Sequence, residues 1–390
     1  MSVELLSTVR RWIDVDPDPR THDALEKLLH RAEDDDAQAA EELDGLFAGR
    51  LAFGTAGLRA ELGPGPLRMN RLVVRQTARG LLAFAREHLG AEPSSAGADD
   101  QGPSAPAGSS PEAGRTDDRR LIVIGYDARH QSDEFAAETA SIFASAGWDV
   151  HVFDRPGPTP LLARQVMTRE ADIGVMVTAS HNPPRDNGYK VYLGGELSRA
   201  VEPSGAGVGA QITAPVDGEI AQRIEECAAA DFSPQAAVST TQPSAEVPWP
   251  AGITLIGDDA RSSYRQESSQ LLDTTGRPHR ELRIVYTAMH GVGGELVTDL
   301  LRESGFTDIV PVAEQFSPDP DFPTADFPNP EEPGALDLAL AAAAEHHADL
   351  VLANDPDADR LSAAVFDEKQ QSWRQLSGDE IGALLGRHIL

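Results

Sequence analysis

One cysteine, Cys227, is all the chain contains, so no intrachain disulfide can brace it. Basic residues are scarce: 33 Lys and Arg stand against 63 Asp and Glu, a formal net charge of −30. A field of that sign repels nucleic acid and anionic membranes, and argues against both as partners. It also means that any anionic ligand needs a local pocket of Arg, Lys, backbone N–H groups or a bound cation. Long apolar runs are missing too. Nothing approaches the roughly 20 residues that span a bilayer, and Met1–Arg20 mixes acids, bases and prolines with no secretory core. What is present is a 390-residue chain, 40% hydrophobic, long enough for roughly two to four domains. These features predict a cytoplasmic, multidomain globular protein.

Residues 91–118 are dominated by Ala, Gly, Ser, Pro and acids, and predict a disordered surface insertion. A Pro-rich stretch over 232–252 predicts a second loop, and 205–209 a shorter third. Between them, apolar runs alternate with helical patterns. Leu121–Tyr126, Ser132–Ala146, Trp148–Phe153 and Asp172–Val177 form the first such series, Arg283–Thr287, Gly294–Ser304 and Asp308–Val312 the second, and Gly334–His347, Asp349–Ala353 and Leu361–Phe366 the third. This strand–helix grammar predicts an α/β protein whose sheets are covered on both faces. A last helical pattern, 378–390, runs into the final residue without a stop signal, so the chain reads as cut rather than finished.

Two loops carry candidate chemistry. The strand ending at Val177 runs into Thr178-Ala179-Ser180-His181-Asn182-Pro183-Pro184, placing a serine at a strand's carboxyl end, where open α/β sheets bind ligands. The strand ending at Ala353 runs into Asn354-Asp355-Pro356-Asp357-Ala358-Asp359-Arg360. Carboxylates at every second position repel one another unless a cation compensates them, and a hard divalent ion is the natural choice. An exposed acidic turn is the other reading. An EF-hand is excluded, because Arg360 and Phe366 stand where Gly and Glu are required. A third cluster, Phe53-Gly54-Thr55-Ala56-Gly57-Leu58-Arg59, offers backbone N–H groups and an arginine to an anion. A fourth, Thr287-Ala288-Met289-His290-Gly291-Val292-Gly293-Gly294, is a glycine turn between strand and helix without dinucleotide or P-loop spacing. Asp127, Arg129 and His130 follow another strand end and carry no assignment.

In this order the motifs resemble those of the α-D-phosphohexomutase superfamily, the phosphoglucomutases and phosphomannomutases. T-A-S-H-N-P at 178–183, followed by N-G-Y-K-V-Y at 187–192, is similar to the family's phosphoserine loop, and D-P-D-A-D-R at 355–360 resembles its metal loop. F-G-T-A-G-L-R at 53–59, G-Y-D-A-R-H at 125–130, P-T-P at 158–160 and F-P-N-P-E-E at 327–332 resemble the phosphoglucomutase-2 and phosphopentomutase-like branch. The resemblance implies successive similar three-layer α/β domains with mixed sheets: domain I over 1–212, domain II over 213–318, and an incomplete domain III over 319–390 holding the metal loop, with the fourth domain and the sugar-selecting loop absent.

It further implies a magnesium-dependent mutase that interconverts hexose 1-phosphate and hexose 6-phosphate, glucose first, through a phosphoserine and a bisphosphate intermediate, with one Mg2+ per site and glucose 1,6-bisphosphate as activator. Phosphomannomutase, phosphopentomutase and an inactive sugar-phosphate-binding fragment are the alternatives. Ser180 would carry the phosphoryl group and, with Asp355, Asp357 and Asp359, hold the metal. Arg59 and Arg360 would clamp the transferring group, and His181 and Lys190 would serve acid–base roles. Thr55, Gly57, His290 and Gly291 would line the substrate site. The expected partner is a small phosphosugar, and the expected assembly a monomer or weak dimer.

Overall fold

A computed structural model describes residues 2–54, 56–90, 119–205, 207–231, 249–271 and 280–389. The expected insertion at 91–118, most of the expected loop at 232–252, and Thr55 lie outside them.

Among the described residues, twelve strands form two mixed sheets. The first orders β1 (Leu58–Glu61), β5 (Asp186–Leu193), β4 (Ile173–Val177), β2 (Leu121–Tyr126), β3 (Asp149–Phe153) and β7 (Thr254–Ile256), with β6 (Ala210–Gln211) also on β5. β4, β2, β3 and β7 run parallel, while β5 is antiparallel to its neighbours. β2 and β4 are buried at every residue, as continuous apolar strands between helical layers should be. Successive side chains feed opposite faces. Ile122 and Ile124 enter the larger core with the helices Arg71–Leu89 and Ser132–Ser145, whereas Leu121 and Val123 enter a second core with the helices Thr159–Thr168 and Asp258–Gln270.

The second sheet orders β12 (Ser372–Gln375), β11 (Leu361–Asp367), β10 (Leu350–Asn354), β8 (Ile284–Thr287) and β9 (Ile309–Pro311). β10, β8 and β9 are parallel, and β11 and β12 turn back antiparallel. The expected class of mixed α/β sheets is therefore what forms. The expected divisions at 212/213 and 318/319 do not coincide with the sheets. β7 joins the first sheet from beyond residue 212, and β10–β12 share one sheet with β8 and β9. The reason is strand pairing: Leu350–Ala353 aligns with Ile284–Thr287, a partnership about 65 residues away that apolar patterning alone does not disclose.

Three helices, Val3–Val15, Pro19–Glu33 and Ala37–Leu46, precede the first sheet. Each starts on a side-chain cap, Ser2, Asp18 and Asp36, which accepts otherwise unpaired first-turn amides. Val9, Trp12, Leu25 and Leu43 bury their apolar faces in the larger core. A buried pair between Arg71 and Glu138, with Arg71 also donating to the carbonyl of Pro17, ties this helical layer to the domain. No helix among the described residues is long and apolar enough to cross a membrane.

The sheets repeat one device. In each, a parallel strand ends in a short loop with a left-handed residue and returns as an antiparallel strand: β4 through Ser180 (φ 53°) into β5, and β10 through Ala358 (φ 56°) into β11. These are the two loops singled out by sequence, and the fold presses them together.

Candidate active site

Ser180 is buried, and its left-handed φ is uncommon for a residue with a Cβ, so its surroundings must hold it. They do so through Asp127 and Arg129. The Thr178 hydroxyl donates to Asp127 Oδ2 at 2.6 Å and accepts the Ser180 amide at 2.8 Å. The Arg129 guanidinium, itself buried, donates to the carbonyls of Ser180 (2.7 Å), Asn182 (2.7 Å), Pro183 (2.8 Å) and Asp186 (3.0 Å). Its outer face lies 4.9 Å from the Phe322 ring, which comes from the second-sheet half of the chain. Asp127 and Arg129 carried no assignment in the sequence. Arg129 holds main-chain carbonyls and Asp127 the Thr178 hydroxyl, all more than 50 residues away in sequence, and no local pattern announces either task.

The Ser180 hydroxyl donates to Asp355 Oδ2 at 2.7 Å, across 175 residues of chain. His181 Nδ1 lies 3.2 Å from Ser180 Oγ. Burial, and then the neighbouring Arg360 and Arg59, push His181 down to about 4, leaving its imidazole neutral near pH 7. Lys190, buried on β5, donates to Asp357 Oδ2 and to Asp359 Oδ2, each at 2.6 Å. Burial favours its neutral form, but the two carboxylates outweigh that and raise it above the usual lysine range. Lys190 is thus an ammonium paired with the acidic loop.

Asp355, Asp357 and Asp359 bring one carboxylate oxygen each within 4.8 Å of the others. Burial and the charges of Asp357 and Asp359 raise Asp355. Asp357 is buried as well, yet Lys190 holds it below the ordinary carboxylate range. Its Oδ2 accepts from Thr159 Oγ1 at 2.5 Å and from Lys190, whereas its buried Oδ1 meets no donor among the described residues. Two buried carboxylates and an exposed third this close, with one buried oxygen unsatisfied and a serine hydroxyl alongside, fit a hard divalent cation such as Mg2+, which prefers carboxylate, phosphate and water oxygens.

The other predicted residues fall around this centre. Arg59, half-buried, donates to the Ala56 carbonyl (3.2 Å) and approaches Asn182 Oδ1 (3.4 Å), near enough to Asp357 and Asp359 to feel their charge. Arg360 is exposed, and its amide donates to Asp355 Oδ1 at 3.0 Å. Gly57 adopts φ 83°, and a Cβ there would strike the Tyr189 carbonyl, so only glycine lets this turn lie against β5. His290 is buried, with Nε2 2.8 Å from Thr324 Oγ1. Gly291 packs directly on Pro356 of the acidic loop, and the Val292 amide donates to the Pro356 carbonyl at 2.8 Å. The fourth motif therefore shapes the acidic loop from behind.

The family pattern for phosphoglucomutase/phosphomannomutase alpha/beta/alpha domain I matches residues 107–204, and that for domain II matches 262–369. The chain belongs to the phosphoglucomutase/phosphomannomutase family. The domain II match spans the expected 318/319 division and contains the acidic loop. Among curated relatives, the phosphoribomutase of Saccharomyces cerevisiae is 34% identical over 393 residues, covering 98% of this chain and 55% of that protein. The glucose 1,6-bisphosphate synthase of Homo sapiens is also 34% identical over 393 residues, covering 98% of this chain and 54% of that protein. The chain thus spans about half the length of the curated relatives it matches. A solved structure of a phosphoglucomutase/phosphomannomutase family protein from Burkholderia thailandensis shares the fold, with a TM-score of 0.55 at 21% identity over 81% of this chain and 55% of that one.

Proposed function

We propose that this chain carries the phosphoryl-transfer centre of a magnesium-dependent phosphosugar mutase that interconverts hexose 1-phosphate and hexose 6-phosphate, glucose first, through a phosphoserine at position 180. The observation that carries the reading is the 2.7 Å bond from Ser180 Oγ to Asp355 inside a three-carboxylate cluster with an unsatisfied buried oxygen.

Asp355, Asp357 and Asp359, with Ser180, would hold the cation. One Mg2+ supplies charge neutralisation for a phosphoserine that bears close to two negative charges. Phosphoryl transfer needs mainly positioning and charge compensation. Arg129 and Thr178 fix the serine, while Arg59 and Arg360 flank the loop with positive charge. Lys190 neutralises the carboxylates from within. His181, at 3.2 Å from the serine oxygen, is placed to exchange a proton there. In the forward half-reaction the bond from phosphorus to Ser180 Oγ breaks and one to a sugar hydroxyl oxygen forms, the hydroxyl giving up a proton and Ser180 Oγ gaining one, which yields a bisphosphate and a free serine. The reverse step, on the bisphosphate's other phosphoryl group, restores the phosphoserine.

The name of the yeast relative favours a second reading, a pentose phosphate as substrate. Both are tested by incubating the chain with Mg2+ and either glucose 1,6-bisphosphate or ribose 1,5-bisphosphate, and locating the added phosphoryl group by peptide mass spectrometry. Label on Ser180 that disappears in Asp357→Ala supports the mutase centre, and the faster donor identifies the sugar class. No label from either donor counts against the chain as a phosphoryl carrier and leaves a sugar-phosphate-binding fragment.

A further inference from the structure

We propose that Thr159 is a positioning residue for the divalent cation, holding the Asp357 carboxylate by one oxygen so that the other stays free for the ion. The inference rests on the metal-site reading above and concerns a residue that neither makes the metal site nor touches Ser180.

Thr159 opens the helix Thr159–Thr168, which follows β3 in the first sheet, whereas Asp357 lies in the loop after β10 in the second. Two bonds join them. The Thr159 amide donates to the Asp357 carbonyl at 2.9 Å, and its hydroxyl donates to Asp357 Oδ2 at 2.5 Å. A first-turn amide has no acceptor within its own helix, so the first of these satisfies a donor that would otherwise be left over. Pro158 and Pro160 flank the residue and fix the neighbouring φ angles, and a β-branched side chain has few χ1 rotamers, so the hydroxyl is presented from a stiff base. Thr159 is itself buried.

A carboxylate turns easily about its last torsion, whose distribution is broad and two-fold. Here the turn is stopped. Oδ2 is occupied by Thr159 and Lys190, which leaves Oδ1, buried and without a donor, as the oxygen free to bind. The two donors differ in kind. Lys190 is a cation that also binds Asp359, so its charge opposes a metal ion drawn to the same acids. The Thr159 hydroxyl is neutral and can keep its bond with an ion in place. Groups that orient a metal ligand in this way commonly change affinity by about 10–100-fold when removed.

The test is titration calorimetry of Mn2+ into the full 390-residue chain without sugar phosphate, comparing wild type, Thr159→Val, Thr159→Ala and Thr159→Ser, with Asp355→Asn marking the site. The expected result is a Kd raised about tenfold or more in Thr159→Val and Thr159→Ala, near-wild-type affinity in Thr159→Ser, and little change in the metal-free melting temperature of any of them. Wild-type affinity in either hydroxyl-less variant overturns the proposal. So does failure of both to fold, which would make Thr159 a structural residue. If wild type itself binds no Mn2+ that Asp355→Asn abolishes, the metal-site reading fails, and Thr159 has nothing to position.

Discussion

Arg129 offers the sharpest test of how the serine loop is built. Its terminal nitrogens make four bonds to loop carbonyls at 2.7–3.0 Å, while its Nε sits 3.4 Å from Asp127 and makes no hydrogen bond. The carbonyl bonds, more than the ion pair, should therefore carry its contribution. Truncation by Arg129→Met leaves the Ser180 and Asn182 carbonyls without that donor. The Pro183 carbonyl keeps the Asp186 amide at 3.0 Å. Truncation also leaves the Asp127 carboxylate buried without its cation. Each buried carbonyl left without a donor costs about 1–3 kcal/mol, so the expected loss is about 3–5 kcal/mol. Asp127→Asn leaves the four carbonyl bonds intact and disturbs the acceptors for Thr178 and Ser132, which should cost about 1–3 kcal/mol. Urea unfolding measures both, read as midpoint shifts at constant slope, and hydrogen exchange over residues 178–186 shows whether the loss is local. A cost below about 1 kcal/mol for Arg129→Met, or an equal cost for the two variants, would refute the argument that main-chain carbonyls are the principal clients of this side chain.

Two further expectations follow from other parts of the molecule. Gly291→Ala places a methyl group against the Pro356 backbone, so it should cost about 1–3 kcal/mol of stability and weaken Mn2+ binding; unchanged binding would show that the glycine turn does not shape the acidic loop. Asp18 caps the helix Pro19–Glu33; burial raises its pKa, but the Arg20 side chain and amide outweigh this and lower it overall. Between the lowered folded value and the unfolded value of about 3.9 the unfolded chain binds more protons, so this stabilisation is complete above about pH 4 and is lost as pH falls below it. Asp18→Asn should flatten that acid limb of the stability curve, and an identical pH slope in the variant would count against it.

What could be read from the sequence and what could not divide along physical lines. β2, β4, β8 and β10 announce themselves because central parallel strands are continuously apolar. β5 carries Asp186, Asn187, Gly188 and Lys190 among its apolar residues, so it reads as motif rather than strand, yet it positions Lys190 and pairs with three neighbours. The short strands β1, β6, β7 and β12 offer too few residues for any period to show. Ser180 and the three aspartates stand out because crowded carboxylates demand an explanation. Arg129 and Thr159 lie in motifs that carried the resemblance, G-Y-D-A-R-H and P-T-P, but no role could be read for either, because each acts on a partner more than 50 residues away. His290 and Gly291 drew notice as a glycine turn, and the contacts they make are with Thr324 and Pro356.

Ser180 and the acids that face it are rooted in different sheets, each with its own apolar core. The seam between them is mostly polar: Ser180 on Asp355, Lys190 on Asp357 and Asp359, Thr159 on Asp357, His130 with Asp321, Arg265 with Asp299, and Phe322 over Arg129. A ligand gripping both loops would therefore do more than bind. It would act as a weld, because its affinity is available only while both halves are folded and apposed, and by mass action it favours their melting together. Occupancy of the site between the two loops would then be legible in the shape of the unfolding curve as well as in its midpoint.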